Sequence, residues 1–276
     1  MDRALACSSP LSAPSPDMTP NSVWKCINTV SPNIIHNLLS PLPAHGFDPP
    51  SLQRAKGIVL DKSGKPSYDT PSSFCVIALL QIFSKILQRI MNAPLGCVAR
   101  ITGLLNPYQC GSMAGMSVAD TCNTLPCQRR TLQMDKTKVC TLFLDIKVGV
   151  DNFSPSSVCG MLSPKGVHPY LVSWARLFLT GASCCLLFQA SPKVFFPVLV
   201  GTPQGSPVSP LVCGIYFSRL HRVMPYGITL SYVDDFTLTA LSPCYHRNLQ
   251  ILQGRYAILK PIAPVWGGVS QSPKPN

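Results

Sequence analysis

All eleven carboxylates of this 276-residue chain are aspartates, and four of them stand in two short apolar stretches: Asp145 and Asp151 in FLDIKVGVDNF, Asp234 and Asp235 in LSYVDDFTL. An unpaired carboxylate is costly to bury, so this placement wants a reason. If the strand ending at Asp145 lies beside a hairpin tip carrying Asp234 and Asp235, the three would form a cage of hard oxygen ligands. Mg²⁺ favours octahedral oxygen coordination and usually takes one or two carboxylates together with substrate phosphates. Two such ions, about 3.5–4 Å apart, would activate an attacking hydroxyl and stabilise a leaving pyrophosphate. Two blander readings stay open: an Asp pair is common turn chemistry in a hairpin, and Asp145 would serve equally as a solvated strand end. Between the two acidic stretches lies GTPQGSPVSP, a Gly-rich turn that runs into a helix start. Backbone N–H groups and close backbone approach there suit a nucleotide or a template base.

These residues need elements to hold them. KVCTLFLD reads as a strand ending on Asp145, and residues 154–163 and 169–180 as helices. SCCLLF and KVFFPVLV read as strands, the second bent at Pro197. A helix through Ile215, Tyr216 and Leu220 starts at Pro207 or Pro210. TLSYV and FTLTA make a hairpin with the acid pair at its tip, followed by a helix over 249–260 and a strand near 265–269. Upstream, residues 1–22 read as a flexible Ser/Pro leader, with prolines at 10, 14, 16 and 20 opposing regular structure. Short helices are expected within 23–45, strands at 57–61 and 67–69 around the Ser63-Gly64 turn, and a strand at 74–80. LQIFSKILQRIM then has helical apolar spacing. Interleaved helices and strands around a central hairpin imply an α+β fold.

Composition removes several classes. With 46% hydrophobic residues and a mean hydropathy of +0.23, wholesale disorder is excluded and a sizeable core is expected. No apolar run approaches the roughly 18 residues a membrane span needs, and the Ser/Pro start lacks a signal peptide's apolar segment, so an intracellular protein with no membrane partner is expected. The 13 cysteines contain no CxxC pair and read as reduced thiols. A net charge of +12 suits either ordinary solubility or a polyanionic partner such as nucleic acid.

In this order and spacing, FLDIKVGVDNF, GTPQGSPVSPLV and LSYVDDFTL resemble the active-site motifs of reverse transcriptases, specifically those of non-LTR (LINE-type) retrotransposons. SGKPSYDTPSSFCVIALLQIFSKILQRI and LLNPYQCGSMAGMSVADT resemble that family's fingers motifs, and GVSQSPKPN falls where the family has its last palm strand and a lysine. The likeness covers about residues 46–276. It implies a right-hand polymerase with N-terminal helices and fingers over 23–137 and a split-βαβ palm over 138–276. It further implies DNA synthesis from deoxynucleoside triphosphates (dNTPs) on an RNA template from a DNA primer, with Mg²⁺ or, as an alternative, Mn²⁺. Matched residue by residue, Asp145 and Asp234 would ligate the metal pair, Asp235 would complete the carboxylate cluster, and the backbone carbonyl of Ile146 would add a ligand. Gln204, Gly205 and Ser206 would border the incoming nucleotide and template base, Tyr232 would lie under the primer end, and Lys274 would approach the departing phosphate.

Some positions depart from the family pattern. Val150 stands where an aromatic residue usually excludes a ribose 2′ hydroxyl. Cys75 replaces an arginine of the first fingers motif and Met113 another of the second. Two phosphate-binding charges are thereby missing, at roughly 1.5–3 kcal/mol per charged hydrogen bond. Pro126 interrupts the expected helix over 117–133. No thumb motif follows the palm. A truncated or degenerate copy is therefore expected, either a polymerase or a catalytically silent relic that at most binds nucleic acid.

Overall fold

The structure, a computed structural model, describes all residues except 1, 7–17, 112–114, 121, 125–126, 128–136, 147–152, 187–193, 224–228, 263–264 and 267–276. In chain order its helices are α1 (Asp2–Ala6), α2 (Asn21–Val30), α3 (Pro32–Leu39), α4 (Pro41–Ala44), α5 (Ile82–Ile101), α6 (Pro155–Leu162), α7 (Pro169–Thr180), α8 (Ser209–Val223) and α9 (Tyr245–Leu259). The strands are β1 (Arg54–Asp61), β2 (Phe74–Leu80), β3 (Lys138–Ile146), β4 (Ser183–Leu186), β5 (Phe196–Pro197), β6 (Thr229–Tyr232), β7 (Asp235–Ser242) and β8 (Val265–Trp266). They form two compact units, each drawn from both sides of residue 138: Met1–Thr102 with Val150–Ser209, and Gly103–Gly149 with Pro210–Asn276.

The first unit carries a four-stranded sheet in the order β2-β1-β4-β5, with β1 and β4 parallel and the other pairs antiparallel. Its long helix α5 buries Ile82, Ile86, Leu87, Met91, Leu95 and Ala99, a stripe recurring mostly every four residues as one helix face requires. Two expectations change here. The segment 67–69 is not a strand, because Ser67 and Asp69 satisfy each other locally: the Ser67 hydroxyl donates to Asp69 Oδ2 and accepts the Asp69 N–H. The partner of β1 is instead β2, in register from Ala55 opposite Leu80 to Asp61 opposite Phe74. The leader also begins with a helix, α1, whose Leu5 is buried and whose Ala4 carbonyl accepts from Arg89 of α5. The sequence DRALA precedes the first proline and consists largely of good helix formers.

The second unit has a four-stranded antiparallel sheet in the order β6-β7-β3-β8. Because β3 and β6 both run antiparallel to β7, they are parallel to each other, and the chain between them includes α8. This is a split βαβ arrangement, with β7 inserted between the two parallel strands. Leu144, Ile146, Phe236 and Leu238 are buried and alternate with the more exposed Phe143, Asp145, Asp235 and Thr237, as the period of two dictates, while further along β7 Thr239 and Ala240 are both buried. Helix α9 is tied to the sheet by Asn248, which donates to the Lys138 carbonyl, and by Arg255, which donates to the Thr239 carbonyl.

Candidate active site

The carboxylates are organised by the register of the second sheet. Asp145 stands directly opposite Asp235, and Asp235 directly opposite Tyr232, so the three make one row across β3, β7 and β6. Cross-strand partners share a face. The next row, Leu144 with Phe236, is buried on the other face, which leaves Asp145 and Asp235 on the exposed one. The hairpin tip differs from expectation by one residue: the loop is Val233-Asp234, and Asp235 is already the first rung of β7. Only Asp234 of the acid pair therefore sits in the turn, where its carbonyl accepts the Ile146 N–H at 3.4 Å.

Like charges directly opposite each other are unfavourable. The Asp235 carboxyl is accordingly held above the usual carboxylate range, first by partial burial and then by the charge of Asp145. A pair in that state fits a divalent cation, whose charge would relieve the repulsion, and Mg²⁺ commonly takes no more than two carboxylates. Among the described residues no group of three or more Asp, His or Cys side chains is gathered closely enough to hold a metal.

The tip is backed by a segment that sequence reasoning assigned no role at this site. Residues 108–110 run along β6: the Cys110 N–H donates to the Ser231 carbonyl at 2.9 Å and the Ser231 N–H to the Tyr108 carbonyl at 3.1 Å. Gly111 follows, and a Cβ there would meet the Val233 nitrogen at 2.4 Å and the Tyr232 carbonyl carbon at 3.0 Å. Val233 itself has φ 56°, a left-handed conformation that a β-branched residue adopts only under constraint. Beneath β6, His221 of α8 is buried, with Nδ1 3.0 Å from the Thr229 hydroxyl and Nε2 2.8 Å from the Ser231 hydroxyl. Its ring also lies against Phe236, with centroids 4.8 Å apart. Burial pushes its pKa down to about 4, so at neutral pH the imidazole is uncharged.

The Gln204-Gly205-Ser206 turn belongs to the first unit and is fastened at each residue. The Ala78 N–H of β2 donates to the Gln204 carbonyl at 2.8 Å, and the Cys75 thiol donates to Gln204 Oε1 at 3.1 Å. Gly205 has φ 117°, and a Cβ there would stand 2.7 Å from the Ala78 carbonyl oxygen, so both conformation and space demand glycine. The Ser206 hydroxyl donates to Gln88 Oε1 of α5 at 2.7 Å and accepts the Val208 N–H at 3.1 Å. Gln88 completes the chain by donating to the Ser84 hydroxyl at 2.9 Å. Gln88, Ser84 and Ser206 are all buried, and such a satisfied buried network fixes geometry firmly. Beside the turn is a largely apolar cavity of about 320 Å³, lined by Val76, Ala78, Cys184, Thr202, Pro203 and Gln204 among others.

Val150, Asp151 and Lys274 lie outside the described residues, as do Met113 and Pro126. Gly111, His221 and Gln88 are the residues that sequence reasoning missed. Gly111 carried a faint signal as a glycine within a motif, whereas His221 and Gln88 looked like ordinary helix positions.

Residues 61–257, well over half of the chain, match the family described as reverse transcriptase (RNA-dependent DNA polymerase). The chain belongs to the reverse transcriptase family. Among curated relatives, this reverse transcriptase chain is 26% identical over 192 residues to the probable RNA-directed DNA polymerase from transposon X-element of Drosophila melanogaster, which covers 68% of the chain and 21% of the relative. It is 26% identical over 251 residues to the putative 115 kDa protein in type-1 retrotransposable element R1DM of the same fly, covering 89% of the chain and 23% of the relative. The non-LTR affiliation read from the motifs holds, and the chain spans less than a quarter of the length of these relatives. In fold it is similar to apo telomerase from Candida tropicalis truncated from the C-terminal domain, with a TM-score of 0.56 at 14% identity over 95% of this chain and 59% of that one. Telomerase from Candida albicans, solved with a fragment of telomeric RNA, is similar at a TM-score of 0.56 and 14% identity, over 93% and 47% of the two chains. Among the described residues no helix is long and apolar enough to cross a membrane.

Proposed function

We propose that this reverse transcriptase chain extends a DNA primer on an RNA template with dNTPs, using Mg²⁺ held by the Asp145–Asp235 pair with the Ile146 carbonyl as a further ligand, while Asp234 stays in the turn beside them instead of joining a three-carboxylate cage. The pairing of Asp145 with Asp235 across the ladder carries this reading, because a repelling carboxylate pair on an exposed sheet face is stabilised by a divalent cation. Bound there, the ion would lower the pKa of the primer 3′ hydroxyl and neutralise charge on the triphosphate. Asp145 and Asp235 fix where that hydroxyl and the α-phosphate meet. Tyr232, in the same cross-strand row, supports the primer end. Gln204, Gly205 and Ser206 border the incoming nucleotide and its template base, and their anchoring to Ala78 and Gln88 keeps that border rigid. By the family resemblance Val150 would bear on the choice of sugar and Lys274 on the departing phosphate, and both lie outside the described residues. Residues 23–137 supply the N-terminal helices and fingers and residues 138–276 the palm. Primer extension by the purified chain, with Asp145→Asn and Asp235→Asn as controls, tests the reading.

One observation favours a second reading, a silent relic that retains only nucleic-acid binding. Where the family has an arginine, the Cys75 thiol is engaged with Gln204, and a thiol offers no cation to a triphosphate. Primer-template affinity measured against salt distinguishes this state, since a phosphate-tracking surface gives a steep negative slope whether or not extension occurs.

A further inference from the structure

We propose that His221 is a positioning residue: its imidazole, seated between Thr229 and Ser231, sets the height and register of β6, and through the Tyr232–Asp235 rung it holds Asp235 in line with Asp145. This inference rests on the proposed role of those carboxylates in metal binding. The geometry points to it in three ways. First, Thr229 and Ser231 are alternate residues of one strand, so they project to the same face, and the ring spans both hydroxyls at 3.0 and 2.8 Å. A neutral imidazole has one N–H donor and one acceptor, and hydroxyls take either part, so both bonds are satisfied without charge. Second, Ser231 is gripped from its other atoms too, through its N–H by Tyr108 and through its carbonyl by Cys110. Tyr232, one residue on, is the first member of the carboxylate row. Third, the ring packs on Phe236, the residue that follows Asp235, so one side chain touches both strands of the hairpin.

A hydrophobic residue would serve if packing alone were needed. His221 and its two hydroxyls are all buried, so the site spends three polar side chains where apolar ones of equal size would be about as stable. Directional bonds to alternate residues of β6 do what apolar packing does less well: they forbid a sliding or tilting of the strand that would move Asp235 relative to its partner. Residues that orient metal-binding groups without touching the metal commonly govern affinity by about 10- to 100-fold.

The test uses the triple variant His221→Phe, Thr229→Val, Ser231→Ala, which removes every buried polar atom of the seam while keeping volume and the contact with Phe236. Mn²⁺ affinity is measured by calorimetry beside thermal melting. The expected result is a melting temperature close to that of the unaltered chain with Mn²⁺ bound about tenfold more weakly. His221→Gln, whose carboxamide keeps a donor and an acceptor, should bind Mn²⁺ as tightly as the unaltered chain. Should the triple variant fail to fold, Ser231→Ala alone decides, with an expected loss of about threefold, equivalent to about 0.65 kcal/mol. Undiminished Mn²⁺ affinity in a folded triple variant, or in Ser231→Ala, overturns the role of His221 while leaving the carboxylate site intact. Absence of Mn²⁺ binding by the unaltered chain instead removes the carboxylate reading, and this inference with it.

Discussion

Gly111 is the residue on which the hairpin tip most plainly depends, and replacing it with alanine gives a sharp test. The added methyl would stand 2.4 Å from the Val233 backbone nitrogen, 2.8 Å from its Cγ2 and 3.0 Å from the Tyr232 carbonyl carbon. Ordinary van der Waals contact needs roughly 3.5 Å, so the tip or the 108–111 segment must move by about 1 Å. Two of the three clashing atoms are backbone, which cannot step aside as the end of a long side chain can. Overpacking of this kind costs about 1–3 kcal/mol. Gly111 does not have a positive φ, so the penalty is steric and belongs to the contact with the tip. Gly254 in α9 provides the control: a Cβ there meets nothing within 4 Å, and Gly→Ala within a helix should stabilise by about 0.5–1 kcal/mol. The assay is urea denaturation of both variants, followed by primer extension with the double variant, in which the stability lost at residue 111 is partly restored. A displacement of about 1 Å at reacting groups can lower the rate by about 100-fold, so the double variant should remain folded and extend poorly. Gly111→Ala with the stability and extension rate of the unaltered chain would refute the claim that this glycine backs the tip.

Opposite pH responses are expected from two buried groups. Burial lowers the His221 pKa from 6.5 to about 4, so its contribution is fully present above pH 6.5 and is lost as pH falls towards 4, by about 3 kcal/mol. Burial, partly offset by a hydrogen bond from Gln53, raises the Asp48 pKa from 3.8 to about 6, so its contribution is present below pH 3.8 and is lost as pH rises through 6, by a similar amount of about 3 kcal/mol. In urea titrations across this range, His221→Gln should flatten the loss as pH falls from 6.5 towards 4 and Asp48→Asn the loss as pH rises from 3.8 to about 6; unchanged profiles would contradict the assignments. Asp235→Asn should raise the melting temperature in metal-free buffer by relieving the like-charge rung, and should abolish any stabilisation by Mn²⁺. Gln88→Leu strands the Ser206 hydroxyl and should cost about 1–3 kcal/mol while raising the KM for dNTPs more than it lowers kcat.

Apolar spacing made much of this fold legible. The helical spacing of residues 80–91 falls on α5 and KVCTLFLD falls on β3, although α5 starts at Ile82 and continues through Pro94 to Ile101, beyond the reach of that spacing. The hairpin itself was legible but its rung was not: YVDD admits a loop at Val233-Asp234 or at Asp234-Asp235, and the choice rests on Val233 accepting a positive φ against Gly111 and on ladder contacts with β3. Likewise the strand at 67–69 failed because Ser67 and Asp69 bond to each other, a competition that a propensity pattern does not register. The buried seam of His221 with Thr229 and Ser231 joins residues eight and ten positions apart. Nothing in their local sequence marks them as partners, since polar residues on a helix and a strand ordinarily face solvent.

Metal-dependent extension is the most direct test of the carboxylate site. Purified chain is supplied with an RNA template, an annealed DNA primer, dNTPs and Mg²⁺ or Mn²⁺, in parallel with Asp145→Asn and Asp235→Asn. Template-directed extension by the unaltered chain, absent from both variants and from reactions lacking divalent metal, is the predicted result. Equal incorporation by all three proteins, or none by any, would contradict the assignment of Asp145 and Asp235 as the groups that carry the chemistry.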